Sequence, residues 1–324
     1  MIDRRTLAIV AAAVLGALVP AAALGQAWPG KSIRLVVPFP PGGGTDVLSR
    51  TLAEKLGPAL NTALVVDNRP GAGGNVGLDL AAKAAADGNT LAMGQTSNLA
   101  INPTLYTSLP FSPLKDFAPI VLVASQPMVL VVAKDAPWKT LADIVTAGKG
   151  KGGLTMASAG NGTVGHLAGE MFARRAGITV VHVPYKGAAP AITDVVGGQV
   201  AMFFASAGGV MGQIEGGRVR AIAVTSAKRM ARLPNVPTVA ESGFPGFEAT
   251  DWKGLVAPAG TPAAIVNRVN AEVMRALGTP EVAARLAAEG SEAMGGSPEQ
   301  FAQHLREEAT KWSAIVKATG AKVD

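Results

Sequence analysis

Short β-rich runs alternate with helical patterns through most of this chain, and twice a strand passes into a helix through a glycine-rich turn. In RLVVPFPPGGGTDVLSRTLAEKL, Arg34–Leu56, an apolar run stops at Pro-Pro-Gly-Gly-Gly and becomes helical without a break. SIRLVVPF, TALVVDNRP, NTLAMGQTS, LTMASAGNGT, ITVVHVPYKGAAP, QVAMFFASA and VRAIAVTSA read as strands. Helices are expected at Thr45–Leu60, Val76–Ala86 and Val164–Gly177. Strands and helices of these lengths in alternation imply an α/β fold with mixed, mainly parallel sheets flanked by helices.

The last third is helical and clearly punctuated. Thr261-Pro262, Thr279-Pro280 and Ser297-Pro298 each set a capping residue before a proline at the first helical position. Gly278 and Gly290 stand where helices should end. Ile265, Val269, Val273 and Leu277 line one face for packing on a sheet.

Two segments read as crossings between domains: the long run 118–133, whose Pro127 suits a central strand badly, and the Gly- and Pro-rich Gly243–Gly260. Two crossings build one domain from both chain ends, 28–125 plus 250–324, and a second from 126–249. A cleft between domains is a common place for a small ligand.

Residues 1–27 read as an export signal: Arg4 and Arg5, an apolar stretch from Leu7 to Leu24, and a small-x-small end at Gly25-Gln26-Ala27, with cleavage before Trp28. Abundant alanine and Pro20 argue against a membrane anchor. The paired arginines leave the export route open. Removing the segment takes two Arg and one Asp, so the formal charge falls from +6 to +5. No later run reaches the ~20 apolar residues of a membrane span. Without cysteine, disulfides and thiolate metal sites are excluded. The basic residues are scattered and only two Tyr are present, which argues against nucleic acid and suits a small acidic ligand.

The glycine-rich turn has a physical use. The first turn of a helix leaves backbone N–H groups without internal partners and carries partial positive charge, and glycines let a carboxylate or phosphate reach it. Phosphate-loop patterns do not fit: Gly44 is followed by Thr45-Asp46 where a Walker loop needs Lys, and Val47 stands where the dinucleotide pattern needs Gly. MASAGNGTVGHLAGE, Met156–Glu170, repeats the design, and GQTSNLAINP adds Thr96, Ser97 and Asn98 after a third strand. Two such mouths facing across a cleft can grip one ligand at both ends.

KSIRLVVPFPPGGGTDVLSRTLAEKLG, VVDNRPGAGGNVG, SAGNGTVGHLAGE, VHVPYKGAAPAITDVVGGQV, RAIAVTSAKRMARLPNVPTVAESGFPGFE and GLVAPAGTP together resemble the Bug-type solute receptors of tripartite tricarboxylate transporters, across Trp28–Asp324. The resemblance implies a two-domain periplasmic binding protein of the Venus-flytrap kind, type II. It would bind a di- or tricarboxylate or an aromatic acid as a monomer without cofactor or metal, and deliver it to membrane permease subunits. Carried over by motif, the ligand-binding candidates are Phe39, Gly43, Gly44, Thr45 and Asp46, then Ser97 and Asn98, then Ser158, Gly160, Asn161 and Thr163. Ala205 and Ser206 stand where many relatives have a polar pair, which disfavours amino-acid ligands. Lys253 stands in Trp252-Lys253-Gly254 where many have Tyr; it either brings a cation to the cleft or points into water.

Two other classes compete. A sensor would use the same receptor to address a signalling partner. A hydrolase would use Ser97 or Ser158 with His166, His182 or His304, but neither serine lies in a Gly-x-Ser-x-Gly elbow. His182 reads as a packed strand residue, His304 as exposed on a C-terminal helix, and His166 as the histidine nearest the cleft.

Overall fold

A computed structural model describes residues 28–30 and 32–323; the export signal lies outside the described residues. The chain first forms β1 (Ser32–Val37), α1 (Gly44–Leu60), β2 (Ala63–Asn68), α2 (Asn75–Ala82), β3 (Thr90–Gln95), α3 (Asn102–Leu105) and β4 (Phe117–Ala133). Its middle supplies α4 (Leu141–Gly148), β5 (Leu154–Ser158), α5 (Val164–Ala176), β6 (Val180–Pro184), α6 (Ala188–Val196), β7 (Met202–Ser206), α7 (Ala207–Glu215) and β8 (Val219–Val224). The chain closes with β9 (Thr250–Pro258), α8 (Ala263–Leu277), α9 (Pro280–Ala288), β10 (Glu292–Gly295) and α10 (Pro298–Thr319). Among the described residues no helix is long and apolar enough to cross a membrane.

The α/β class is as the alternation predicts, and the sheet is mixed. Strands run in the order β2-β1-β3-β9-β4-β7-β5-β6, with β8 and β10 also on β4. Parallel pairs lie at the two ends, β2-β1-β3 and β7-β5-β6, where helices make the crossovers. The centre is antiparallel, because β9 returns against both β3 and β4, and β7, β8 and β10 also run against β4.

β4 is one strand of 17 residues, not two runs broken at Pro127. Its first part pairs with β9 as far as Pro127↔Thr250, and β7 takes over at Met128↔Ser206. The missing N–H of proline therefore falls where the ladder changes partner, a place that tolerates it. The next amide, Met128, donates to Thr225 Oγ1 at 2.8 Å. Register shifts at Pro119/Val121, Leu122/Ala124 and Leu130/Val131 bend this long strand.

Burial follows the same division. One apolar cluster takes residues only from β1–α1, β3, the first part of β4, and β9–α9; Ile33, Leu52, Val123 and Val269 are typical. Another takes residues only from the second part of β4 through Met230, among them Val131, Phe203 and Val210. A third joins the two, from Leu99 and Trp252 to Met156 and Phe172. In α8, Val269 and Val273 are fully buried, as their spacing predicts.

The C-terminal caps are only partly those expected. Ser297 forms a capping box with Gln300 at the start of α10. Thr279 instead donates its hydroxyl to Ala276 O, and Thr261 donates to Pro258 O, leaving Pro262 at the cap of α8. α10 packs buried Phe301 against Trp252 of β9 and carries buried Glu308 and Trp312. Glu308 Oε2 accepts both indole N–H groups, from Trp252 at 2.8 Å and Trp312 at 2.7 Å. A buried donor left without a partner costs about 1–3 kcal/mol. Glu308→Ala orphans two and should lower the unfolding free energy by about 2–5 kcal/mol in urea titration, whereas Glu308→Gln, which keeps an acceptor, should cost clearly less.

Candidate functional site

Three strand ends converge on one cleft. β1 runs through Pro38–Gly43 into α1, and Gly43 offers no capping side chain, so the N–H groups of the first turn lack a side-chain partner. Gly42 sits at φ +83°, which a residue with a side chain would adopt only at a cost. The loop is held from behind by Asp46: Gly42 N donates to its Oδ2 at 2.9 Å, Asn68 Nδ2 to its Oδ1 at 2.9 Å, and Arg50 Nε to Oδ2 at 3.0 Å. The Asn68 amide also binds Phe39 O at 3.0 Å. The Arg50 guanidinium, with these amides, lowers the Asp46 carboxyl to about 2 against the opposing effect of burial.

The second loop has the same plan. β5 ends at Ser158, and Thr163 caps α5, accepting from His166 N and donating to Gly160 O at 2.8 Å. Behind the loop, Ser158 Oγ lies 2.6 Å from His182 Nε2 and accepts from Gly160 N at 3.1 Å. His166 stacks on His182 with ring centroids 3.8 Å apart, and its Nδ1 accepts from Gly162 N at 3.1 Å. Burial, with the neighbouring His182, lowers His166 to about 4, and burial lowers His182 too, so near neutral pH both rings are uncharged and can accept. A side chain on Gly162 would run into Leu105, which shows how closely this loop approaches α3.

An inner chamber of about 260 Å³ lies between the loops. Phe39, Leu105, Met128, Phe203 and Phe204 give it apolar walls, and Gln95, Ser97, Asn102, Tyr106, Asn161, Thr163, Ser206 and Asp251 supply polar groups. An outer chamber continues along Gly42–Thr45, with Gln95, Gln126, Asp251 and Lys253; the two share Phe39, Gln95 and Asp251. Burial raises the Tyr106 phenol, so it remains a donor.

Of the predicted residues, Phe39, Gly43, Gly44, Thr45, Ser97, Asn161, Thr163 and Ser206 line one chamber or the other. Five do not. Asp46 and Ser158 are buried braces of the loop backbones, and Gly160 spends its N–H on Ser158 Oγ and its carbonyl on Thr163. Asn98 is buried, its Oδ1 accepting from Gln95 N at 2.9 Å, while its Nδ2 has no partner. Ala205, paired with Val129 on β7, points into the core. Gln95, Asn102, Tyr106, Gln126 and Asp251 were missed. Gln95 and Asp251 immediately flank the motifs TSN and WKG, a signal that strand-end position could have supplied. Nothing local marks Tyr106.

The Ser158–His182 pair is the geometry a hydrolase would start from. Ser158, however, is fully buried, and its oxygen is already engaged by Gly160 N and Gly160 O. The nearest carboxylate of this cluster, Glu170, lies 3.9 Å from His166, not beside His182. His304 is not exposed: it packs edge-on against Trp252, with ring centroids 5.1 Å apart. Among the described residues no group of three or more His, Asp or Glu is gathered as metal ligands would be.

The sequence pattern of the tripartite tricarboxylate transporter family receptors (TctC) matches residues 48–321. The chain is 36% identical to protein BugT of Bordetella pertussis over 321 residues, 98% of each chain. Among solved structures it is similar to Rpa4515 of R. palustris with adipate, at 35% identity and TM-score 0.81, covering 91% of this chain and all of that one. It is also similar to MatC of Rhodopseudomonas palustris with bound malate, at 32% identity and TM-score 0.76, covering 89% of this chain and all of that one.

The brace behind the first loop has a pH signature. A carboxyl whose folded pKa is depressed adds stability above its unfolded pKa and loses it as pH falls through the folded value. Asp46 should contribute fully above about pH 4 and lose its contribution on approaching pH 2. Urea unfolding of wild type and Asp46→Asn at pH 6, 4, 3 and 2 checks this. The gap between them should be widest at pH 6 and close toward pH 2.

Proposed function

The chain belongs to the tripartite tricarboxylate transporter receptor family, and on that premise we propose that it captures a small organic acid in the cleft and delivers it unchanged to membrane permease subunits. It does this outside the cytoplasm, as a periplasmic monomer, once residues 1–27 are removed. Two lobes form the cleft, 28–125 with 250–324 and 126–249. The separate apolar clusters on either side of Pro127 support that division.

One observation carries the ligand class: two helices begin at the cleft behind glycine-rich loops, and the chamber between them has apolar walls. Bare backbone N–H groups with hydroxyls suit a carboxylate, and the apolar walls suit a short carbon chain. Asn161, Thr163 and Ser97 are the side chains best placed to take the first carboxylate. Similar proteins whose solved structures hold adipate and malate support an organic acid. A serine and histidine pair spent on holding a loop supports receptor use over catalysis.

Ligand at a hundred times its dissociation constant stabilises a protein by about 2.7 kcal/mol. A thermal-unfolding screen over mono-, di- and tricarboxylates, aromatic acids and amino acids should therefore give a clear rise with one group of acids. Asn161 is exposed and its side chain makes no hydrogen bond among the described residues. Asn161→Ala should weaken that acid about tenfold while leaving ligand-free unfolding unchanged, as expected for losing one hydrogen bond to a charged group. A screen in which no acid shifts unfolding rejects the reading.

A further inference from the structure

β9 passes the cleft with alternating faces. Trp252 turns inward to Phe301 and Glu308, so Asp251 and Lys253 share the opposite face. Lys253 is opposite Gln95 of β3, and Asp251 is opposite Gln126 of β4. These four side chains floor the outer chamber beneath Gly42–Gly44. Lys253 does not point into water: it is only 4% exposed. Its ammonium has three donors, yet its nearest carboxylate, Asp251 Oδ2, is 3.8 Å away, too far for a hydrogen bond. Asp251 Oδ2 also accepts from Gln126 Nε2 at 3.3 Å, and its Oδ1 is buried without a partner. Glu289 also approaches Gly44: burial raises its carboxyl, and the Lys253 ammonium, with Arg285 at 3.5 Å, opposes that rise.

The side chain is buried but lines the outer chamber, so its ammonium can donate to a carboxylate that enters there, a charge-assisted bond stronger than a neutral one. Beside it lies the uncapped first turn of α1, which favours the same sign of ligand charge. Asp251, with Glu289 near it, offsets the ammonium, and an arriving carboxylate would share its charge with both the ammonium and the α1 amides. A methyl group in the same place would leave the donors unmet.

We propose that Lys253 is the specificity-determining residue, binding the second carboxylate of a diacid whose first carboxylate is held at the Asn161–Thr163 loop. This rests on the carboxylate-receptor reading above. It makes the receptor discriminate between acids of one chain length by the group at their far end.

Matched pairs of acids test it: succinate with butyrate, glutarate with pentanoate, adipate with hexanoate, measured by calorimetric titration. Wild type should prefer the diacid of at least one pair by tenfold or more, the size expected of a hydrogen bond to a charged group. Lys253→Met, close in length, should collapse that preference at least tenfold, and Lys253→Arg should keep most of it. Ligand-free thermal unfolding establishes that each variant is folded. Should Lys253→Met not fold, loss of the preference in Lys253→Gln decides in its place. Equal binding of diacid and monoacid by wild type overturns the role of Lys253 alone, as does a preference that survives its removal. If wild type binds neither series nor any acid of the broader screen, the carboxylate reading falls and takes this inference with it.

Discussion

The arrangement depends on β4 changing partners in mid-strand. Antiparallel pairing asks for an unbroken row of backbone donors, and Pro127 cannot supply one. The strand survives because β9 ends its ladder at that residue and β7 begins at the next. One continuous backbone thus belongs to both ends of the sheet, and β3, β5 and β7 bring their C-terminal ends to its middle. The cleft is the consequence. Loops that leave those strand ends have no sheet to join, and they face one another across Gln126 and Met128.

Each loop then needs to be stiff without filling the space that it faces. Glycine provides close approach at the cost of freedom, and the chain compensates from behind. On one side the brace is a charged carboxylate, Asp46, fixed by Arg50 and Asn68. On the other it is a neutral pair of stacked histidines and a buried serine. The difference is chemically sensible. Asp46 is buried, but Arg50 reaches it from the surface and pairs its charge, whereas Ser158 and His166 are buried where an unpaired charge would be expensive. Two loops of similar sequence design are therefore held by opposite electrostatic means.

Much of this was legible in the chain, for local reasons. Strand-to-helix passages, the α8 face and the Ser297 cap depend on residues a few positions apart, and pattern reads such distances well. What local pattern does not carry is direction. The motifs locate Asp46, Asn98, Ser158 and Ala205 at the loops, but not whether each side chain faces the cleft or the core. Ala205 faces away because β7 alternates, and Ser158 because His182 lies beside it on the neighbouring β6. Both are tertiary facts. The mixed sheet was expected, but its antiparallel centre is not local: β9 returns from far along the chain, and no window of sequence shows which neighbour it will choose.

Lys253 brings the two kinds of information together. Sequence alone left it between cleft and solvent, since an isolated lysine on a strand is most simply a solvated one. Its neighbours decide otherwise: Trp252 is committed to the core by the Glu308 carboxylate, and strand alternation then turns Lys253 to the other face. An indole on the far side of the strand thereby fixes where an ammonium must stand. A change in how α10 packs on Trp252 would be felt at the cleft through this one strand, with no loop moving. The charge in the outer chamber belongs to the core packing of the C-terminal helix as much as to the loops that frame it.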